Sequence, residues 1–92
     1  MPQKQATPAP QVLVAHLGDE SVLLDLDTKH YFHLNATASA IWRGFERATG
    51  PDDIVQQLMA EFEVTEPEAR DAIERLLADM LEKGLLQSRK RA

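Results

Sequence analysis

Hydrophobic and polar residues alternate along the first third of the chain with the period of two that is typical of β-strands. Turn-forming residues interrupt this alternation twice, first at Gly18 and Asp19 and then from Asp27 to Lys29. We therefore expect three short strands that tight turns join into an antiparallel meander. The strands are predicted over residues 12–17, 22–26 and 30–34.

The alternation also predicts which face of the second strand is buried. Val22, Leu24 and Leu26 form an apolar face, and Asp25 and Asp27 lie on the wetter one. Two carboxylates on one strand face would stand roughly 7 Å apart, a spacing that acid–base catalysis can use. Because no pocket-forming loop accompanies them, we expect both to be solvated acids.

After Asn35, a favourable N-cap, the apolar period changes to 3.6 residues and predicts a helix. A second helix opens at Pro51, because proline and the acids that follow it suit a first turn. A third begins at Thr65, which has capping-box spacing with Glu68, and ends at Gly84. The buried faces of the first two helices are Ala38, Ile41, Trp42, Phe45 and Ala48, and Ile54, Leu58 and Phe62, respectively.

The apolar residues of the third helix cover a wide arc. At about 100° per residue they span roughly 180°, whereas a single packing surface needs ~100°. Leu77 and Leu81 lie at one margin of the arc, beside Arg70 and Glu74. Such a helix can bury one flank in the core and offer the other as the wall of a groove. The same periodicity is equally consistent with a helix that is embedded between two layers of its own domain.

The order of elements predicts an α+β fold that resembles a winged helix-turn-helix. We expect a three-stranded antiparallel sheet followed by three helices, with a short final strand at residues 85–87. Residues 1–10 contain three prolines and no large apolar side chain, so we expect a disordered tail there. The folded domain is predicted over residues 11–87, and residues 88–92 form a short basic tail.

Composition limits the chain to one domain, because it has only 92 residues. Cysteine is absent, which excludes disulfides and thiolate chemistry. No apolar run approaches the ~20 residues that a membrane span needs. The first residues lack the apolar region of a secretory signal, so we expect a cytoplasmic protein.

The candidate chemistry does not indicate an enzyme. His30 and His33 face opposite sides of a predicted strand and cannot share a metal ion, and His16 stands alone. The serines lack a nucleophile elbow, and no glycine-rich phosphate loop is present. We therefore expect no catalytic residues, no metal and no cofactor.

The third helix also argues against nucleic acid as a partner. It follows the second helix through a turn, as in a helix-turn-helix, but residues 66–83 carry six acids against three bases. A net charge of −3 on a recognition helix opposes contact with phosphates. An acidic winged-helix regulator of transcription, or another protein-interaction module, remains the alternative function.

The third predicted strand, residues 30–34, is apolar and aromatic and is expected at an open edge of the sheet. Phe32 and Leu34 share one face, whereas Tyr31 and His33 point the other way. An open edge can pair with a further polypeptide strand. A small chain with such an edge and without a catalytic constellation is suited to holding a peptide.

Residues along most of the folded part resemble the PqqD family, coenzyme PQQ synthesis protein D and its relatives. The similarity covers about residues 12–87, and Leu34 with Asn35, followed by Ile41 and Trp42, is its more specific part. The segments that carry it are residues 22–28, 31–35, 40–42, 53–58, Phe62 and 81–86.

The resemblance implies a RiPP recognition element, a small winged-helix domain that binds the leader segment of a ribosomally made precursor peptide. Members of the family present this peptide to a modifying enzyme, such as a radical SAM protein, or to a leader protease in lasso-peptide pathways. The resemblance further implies that the leader adds as an antiparallel strand along the third strand, in a cleft against the third helix. Quinone-cofactor, lasso-peptide and other modified-peptide pathways all stay open.

The expected peptide-binding residues form two walls of this cleft. One wall follows from the resemblance and consists of His30, Tyr31, Phe32, His33 and Leu34. The other rests only on the helical arc and consists of Arg70, Ile73, Glu74, Leu77 and Leu81. The expected partners are the precursor peptide and its enzyme, and the open edge also makes a homodimer possible.

Overall fold

The computed structural model describes residues 5–89 of the chain. Within this range a three-stranded antiparallel sheet is followed by three helices, which confirms the predicted α+β fold. A second, two-stranded sheet joins the two ends of the described chain. In chain order the elements are β1 (Gln5–Pro8), β2 (Val12–Leu17), β3 (Glu20–Asp25), β4 (Tyr31–Leu34), α1 (Ala36–Glu46), α2 (Pro51–Glu61), α3 (Glu66–Glu82) and β5 (Leu86–Arg89).

The buried face of β3 is the opposite of the predicted one. Ser21, Leu23 and Asp25 point into the core and are at most 3% exposed. Val22 and Leu24 are half-buried on the outer face of the sheet. The prediction was wrong because it considered only the apolar residues of the strand. Ser21 and Asp25 are tolerated on the buried face because each has a hydrogen-bonding partner.

Asp25, which was expected to be a solvated acid, organises the turn between β3 and β4. Its Oδ1 accepts hydrogen bonds from the backbone N–H of Asp27 at 2.9 Å and of Thr28 at 3.4 Å. Asp27 lies in this turn and is exposed, so the two carboxylates do not share a strand face. A short acidic side chain that caps its own turn is a common arrangement and needs no catalytic explanation.

A chain of polar side chains fastens α1 to the sheet. Ser21 Oγ is hydrogen-bonded to Ser39 Oγ of α1 and lies 2.8 Å from His16 Nδ1 of β2. His16 Nε2 lies 3.4 Å from Glu46 Oε1, and Trp42 Nε1 donates a hydrogen bond of 3.2 Å to Glu46 Oε2. Because each buried hydroxyl has a partner, the chain is tolerated in the core and fixes how α1 lies on β2 and β3.

The helix starts agree with the sequence. Asn35 caps α1, since its Oδ1 accepts a hydrogen bond of 2.9 Å from the N–H of Ala38. Thr65 and Glu68 form the predicted capping box at the start of α3. These local contacts satisfy backbone N–H groups that have no partner inside the helix.

The predicted N-terminal tail contains a strand. Gln5–Pro8 form β1, which pairs antiparallel with β5, and the N–H of Ala9 donates to the carbonyl of Leu85 at 2.9 Å. β5 extends into residues 88–89, which were assigned to the basic tail. The pairing is long-range, so local composition does not reveal it. Residues 1–4 and 90–92 of the two predicted tails lie outside the described residues.

The hydrophobic core lies between the larger sheet and the three helices. Its largest fully buried apolar side chains are Leu23, Ile41, Trp42, Ile54, Val55, Leu58 and Leu85. No helix in the described part of the chain is long and apolar enough to cross a membrane.

Candidate functional site

β4 lies at an edge of the larger sheet, whose strand order is β2-β3-β4. It pairs with β3 along one side, from Tyr31 opposite Leu24 to Leu34 opposite Ser21. No strand within residues 5–89 pairs with the other side of β4. The two remaining strands, β1 and β5, pair with each other in a separate sheet. The backbone groups on this side are therefore available to a further strand.

The side chains of β4 alternate as predicted. Leu34 is buried and Phe32 half-buried, whereas Tyr31 is 72% exposed and His33 is exposed. On the outer face, His33 Nε2 lies 2.7 Å from Glu20 Oε1. A strand added along β4 would therefore alternate between the helices and the outer face of the sheet.

A cavity of about 390 Å³ opens beyond the end of β4, between α1 and α3. Its apolar part combines two alanines with two larger aliphatic residues, and its polar rim includes the Asn35 cap. The lining residues are Asn35, Thr37, Ala38, Ile41, Ala72, Arg75, Leu76 and Asp79. We call the free edge of β4 together with this cavity the β4–α3 groove.

Lys83, the C-cap of α3, lies at the opposite end of this groove. Its Nζ is 5.7 Å from the centre of the Phe32 ring and donates to both carboxylate oxygens of Asp79 at 2.9 Å. The ring of His30 meets Phe32 edge to face at a centroid distance of 6.4 Å. Phe32 is thus covered by a cation and by an aromatic edge, and both contacts are favourable.

Arg70, one of the residues predicted for the helical wall, is turned toward α2. Its Nη2 lies 2.9 Å from Asp52 Oδ1 and 3.1 Å from Glu66 Oε2. The hydrogen bonds to Asp52 and then to Glu66 raise the pKa of the Arg70 guanidinium. The side chain therefore belongs to the surface between α2 and α3.

The other predicted helix residues also lie away from the β4–α3 groove. Ile73 is buried in the core, and both it and Leu77 line a separate cavity at the loop between α1 and α2. Leu81 is 37% exposed and Glu74 is exposed, at positions of α3 that face away from Ala72 by helical rotation. Tyr31–Leu34 form the strand edge of the groove, but the cavity itself is lined by Asn35 and by neither residues 30–34 nor these helix residues.

Sequence reasoning missed Ala72, Arg75, Leu76 and Asp79, which form the α3 side of the groove. Ala72 and Leu76 lie at the other margin of the wide apolar arc, opposite Leu77 and Leu81. The arc itself was a valid signal that α3 has more than one apolar contact. Which margin faces β4 depends on the orientation of α3 about its own axis. The periodicity of the sequence does not specify this orientation.

The side chains of the described residues are arranged in a way that suits binding rather than catalysis. No group of three or more His, Cys, Asp or Glu side chains within residues 5–89 is placed to hold a metal ion. Ser21, His16 and Glu46 are in contact in series, but the Ser21 side chain is 0% exposed, so its hydroxyl cannot reach a substrate. This series is a structural connection between the sheet and α1.

The fold and the groove define a small α+β domain that offers an open strand edge beside an apolar cavity. The chain belongs to the PqqD family, since the family model described as coenzyme PQQ synthesis protein D (PqqD) matches residues 20–86. The match runs from the start of β3 to the first residue of β5 and includes all the residues that line the groove. None of the curated proteins matches the chain significantly.

Two solved structures are similar to most of this chain. One, described as TbiB1 in complex with the TbiA(beta) leader peptide, is 36% identical with a TM-score of 0.81, and the match covers 88% of this chain and 94% of that one. The other, a lasso peptide synthetase B1 complexed with the leader peptide, is 30% identical with a TM-score of 0.82 and coverages of 90% and 98%.

Proposed function

We propose that this chain binds the leader segment of a ribosomal precursor peptide and presents it to a modifying enzyme or a leader protease. The single observation that carries this proposal is the unpaired edge of β4 beside an apolar groove. Support comes from TbiB1 and the lasso peptide synthetase B1, whose structures are complexes with leader peptides. In this function the chain itself is a binding protein without catalysis.

Strand addition supplies affinity that depends little on sequence. A peptide paired with the free edge of Tyr31–Leu34 would hydrogen-bond to the backbone, but this strand has only four residues. The net contribution of each such bond is about 1 kcal/mol. Side chains that enter the groove must therefore provide much of the affinity and most of the selectivity.

The groove suits aliphatic side chains. Ala38 and Ala72 leave space beside Ile41 and Leu76, so a branched aliphatic side chain fits where two larger residues would fill the cavity. We therefore propose Ala72, Leu76 and the neighbouring charged residues as the helical wall, in place of the five residues expected from the sequence.

Antiparallel pairing with β4 would fix the direction of the bound peptide, and α3 relates that direction to the groove. The helix runs from Ala72, near Asn35, to Lys83, near Phe32, and is therefore antiparallel to β4. A peptide that adds antiparallel to β4 would run parallel to α3. Its N-terminal part would lie over the cavity, and its C-terminal continuation would leave past Phe32 and Lys83. We propose that the enzyme receives the rest of the precursor at that end.

Fluorescence polarisation with labelled TbiA(beta) leader peptide tests the proposal. We expect saturable binding to this chain and no binding of a peptide with the same residues in scrambled order. Replacing Leu76 with Gln should weaken binding by about tenfold, because a polar group would replace an apolar contact in the groove. Glutamine preserves helix propensity, so the variant should stay folded.

Circular dichroism melting of the Leu76→Gln variant serves as the folding control. The proposal fails if the ordered and scrambled peptides bind equally, or if neither binds at protein concentrations of about 100 µM, where even weak specific complexes are detectable. It also fails if a folded Leu76→Gln chain binds as tightly as the original.

A further inference from the structure

A second apolar surface lies on the flank of α3 that faces away from the β4–α3 groove. It is centred on a cavity of about 40 Å³ that lies between α3, the loop that joins α1 to α2, and Ala6 of β1. Ile54 and Ile73 form its buried back wall, at 1% and 4% exposure, while Ala48 and Leu77 reach the surface. We call this surface, together with Leu81, the α1–α2 flank. The space exceeds that of a single water molecule, about 10–15 Å³ on this measure, and suits the tip of an aliphatic side chain.

The two neighbouring leucines of α3 separate the two surfaces. Leu76 lines the β4–α3 groove, whereas Leu77 lines the cavity of the α1–α2 flank, and both are half-buried. The wide apolar arc of α3 therefore has three parts, a middle in the core and two margins at the surface. Because the margins lie on opposite sides of the buried stripe, a ligand in the groove leaves the α1–α2 flank accessible.

The loop at the mouth of the cavity is held in an unusual conformation. Ala48 has φ of +56°, a left-handed conformation in which glycine is the preferred residue. Its N–H donates to the carbonyl of Phe45 at 3.1 Å, and the N–H of Thr49 donates to the carbonyl of Gly44 at 2.8 Å. These two bonds form the Schellman motif that ends α1, and the alanine at its left-handed position keeps a methyl group on the cavity wall.

The two helices beside this cavity carry a net negative charge. Residues 51–82, which include α2 and α3, contain ten acidic residues and two arginines, and Arg47 precedes Ala48 in the adjoining loop. Asp52 and Asp53 directly follow Pro51 at the cavity, and Arg70 is already bonded to Asp52 and Glu66. An apolar pocket in an acidic field attracts an aliphatic side chain carried by a cationic segment and repels nucleic acid and anionic membranes.

We infer that the α1–α2 flank docks a cationic segment of a partner protein, which inserts one aliphatic side chain into the cavity. The partner that the chain needs is the enzyme acting on the peptide in the groove, and this identification alone rests on the proposed function. Charge complementarity and the separation of the two surfaces carry the inference. Docking on this flank lets the enzyme associate with the chain while the peptide stays bound.

The probe is a synthetic 14-residue helical peptide with a stripe of leucines between lysines, added to ¹⁵N-labelled chain and followed by NMR. We expect saturable shifts of the amide signals of Ala48, Gly50 and Leu77, and an affinity that falls as salt rises. Leu77→Gln should weaken this binding by about tenfold, while its matched control Leu76→Gln should leave it unchanged. A control probe with serine in place of leucine should not produce saturable shifts at these residues.

The inference is overturned if the serine probe binds as well as the leucine probe, because the attraction is then purely electrostatic. It is equally overturned if the shifts spread over the groove, or if Leu76→Gln and Leu77→Gln have equal effects. The TbiA(beta) leader experiment reports separately on the groove, and there Leu77→Gln should bind like the original chain. Loss of leader binding with retained probe binding would refute the proposed function and leave this docking site in place.

Discussion

At the scale of single residues, Gly44 sets how closely α1 and α2 approach each other. It is buried in α1, and a Cβ atom built on it would lie 2.7 Å from both Cγ1 and Cδ1 of Ile54 in α2. Real carbon atoms do not approach so closely, so a larger residue would displace Ile54 from the core. The hydrogen atom of glycine thus allows Ile54 to reach both the core and the wall of the α1–α2 cavity.

Replacing Gly44 with alanine should destabilise the chain, although alanine has the higher helix propensity. The propensity gain of about 1 kcal/mol is smaller than an overpacking cost of 1–3 kcal/mol, so we expect a net loss of ~1 kcal/mol. Urea denaturation measures it. In the double variant with Ile54→Val, which removes Cδ1, the extra cost of the alanine should shrink. An alanine variant as stable as the original would contradict the close contact.

At the scale of elements, α3 begins with an electrostatic contact that depends on pH. Glu68 Oε1 accepts hydrogen bonds from the Thr65 backbone N–H at 2.9 Å and from the Thr65 hydroxyl at 3.1 Å. These bonds, the backbone one first, lower the pKa of the Glu68 carboxyl below its ordinary value of 4.5. The capping box thus favours the ionised carboxylate in the folded chain.

This lowered pKa predicts that the capping contact stabilises the fold at neutral pH and loses its effect in acid. The stabilisation from this contact is complete above the pKa that Glu68 has in the unfolded chain. It disappears as the pH falls through the lower pKa that Glu68 has in the folded chain. The difference in Tm between the original chain and Glu68→Gln should therefore shrink from pH 7 to pH 3. Glu74→Gln, on the exposed face of the same helix, is the control. A difference that stays constant with pH would contradict the assignment.

The helix starts and the buried face of β3 show which features of an element a local sequence pattern can predict. The starts of α1 and α3 were predicted from Asn35, Thr65 and Glu68 because each cap is made by residues three positions apart. The buried face of β3 was predicted wrongly, since it depends on Ser39 of α1, which lies 18 positions from Ser21. Strand alternation identifies two faces, but the packing partners decide which one is buried.

At the scale of the whole molecule, the β1–β5 ribbon joins the two ends of the described chain and covers part of the core. Leu85 and Leu86 are 0% and 3% exposed, and Ala9 is 5% exposed. The ribbon pairs residues about 80 positions apart, from Gln5 opposite Arg89 to Pro8 opposite Leu86. Because β1 and β5 pair with each other, neither of them occupies the free edge of β4.

Replacing residues 5–8 with glycine and serine at constant chain length should lower stability. The ribbon pairing would be lost and Leu86 would be exposed, at a cost of about 2–4 kcal/mol, or a fall in Tm of roughly 10–20 °C for a domain of this size. Differential scanning calorimetry measures the change. If these residues act as a dispensable tail, as composition predicts, the replaced chain melts at the original temperature.

The sequence by itself determined the kinds of element, their order and most of their limits, because caps, turns and apolar periods are contacts between residues close in the chain. It also determined that β4 is aromatic and apolar and that α3 has an apolar surface too wide for one contact. Only the tertiary structure decided that Leu76 faces the groove and Leu77 the opposite flank, and that residues 5–8 pair with residues 86–89. These features depend on the rotation of one helix and on long-range strand pairing, which are fixed by the packing of the whole core.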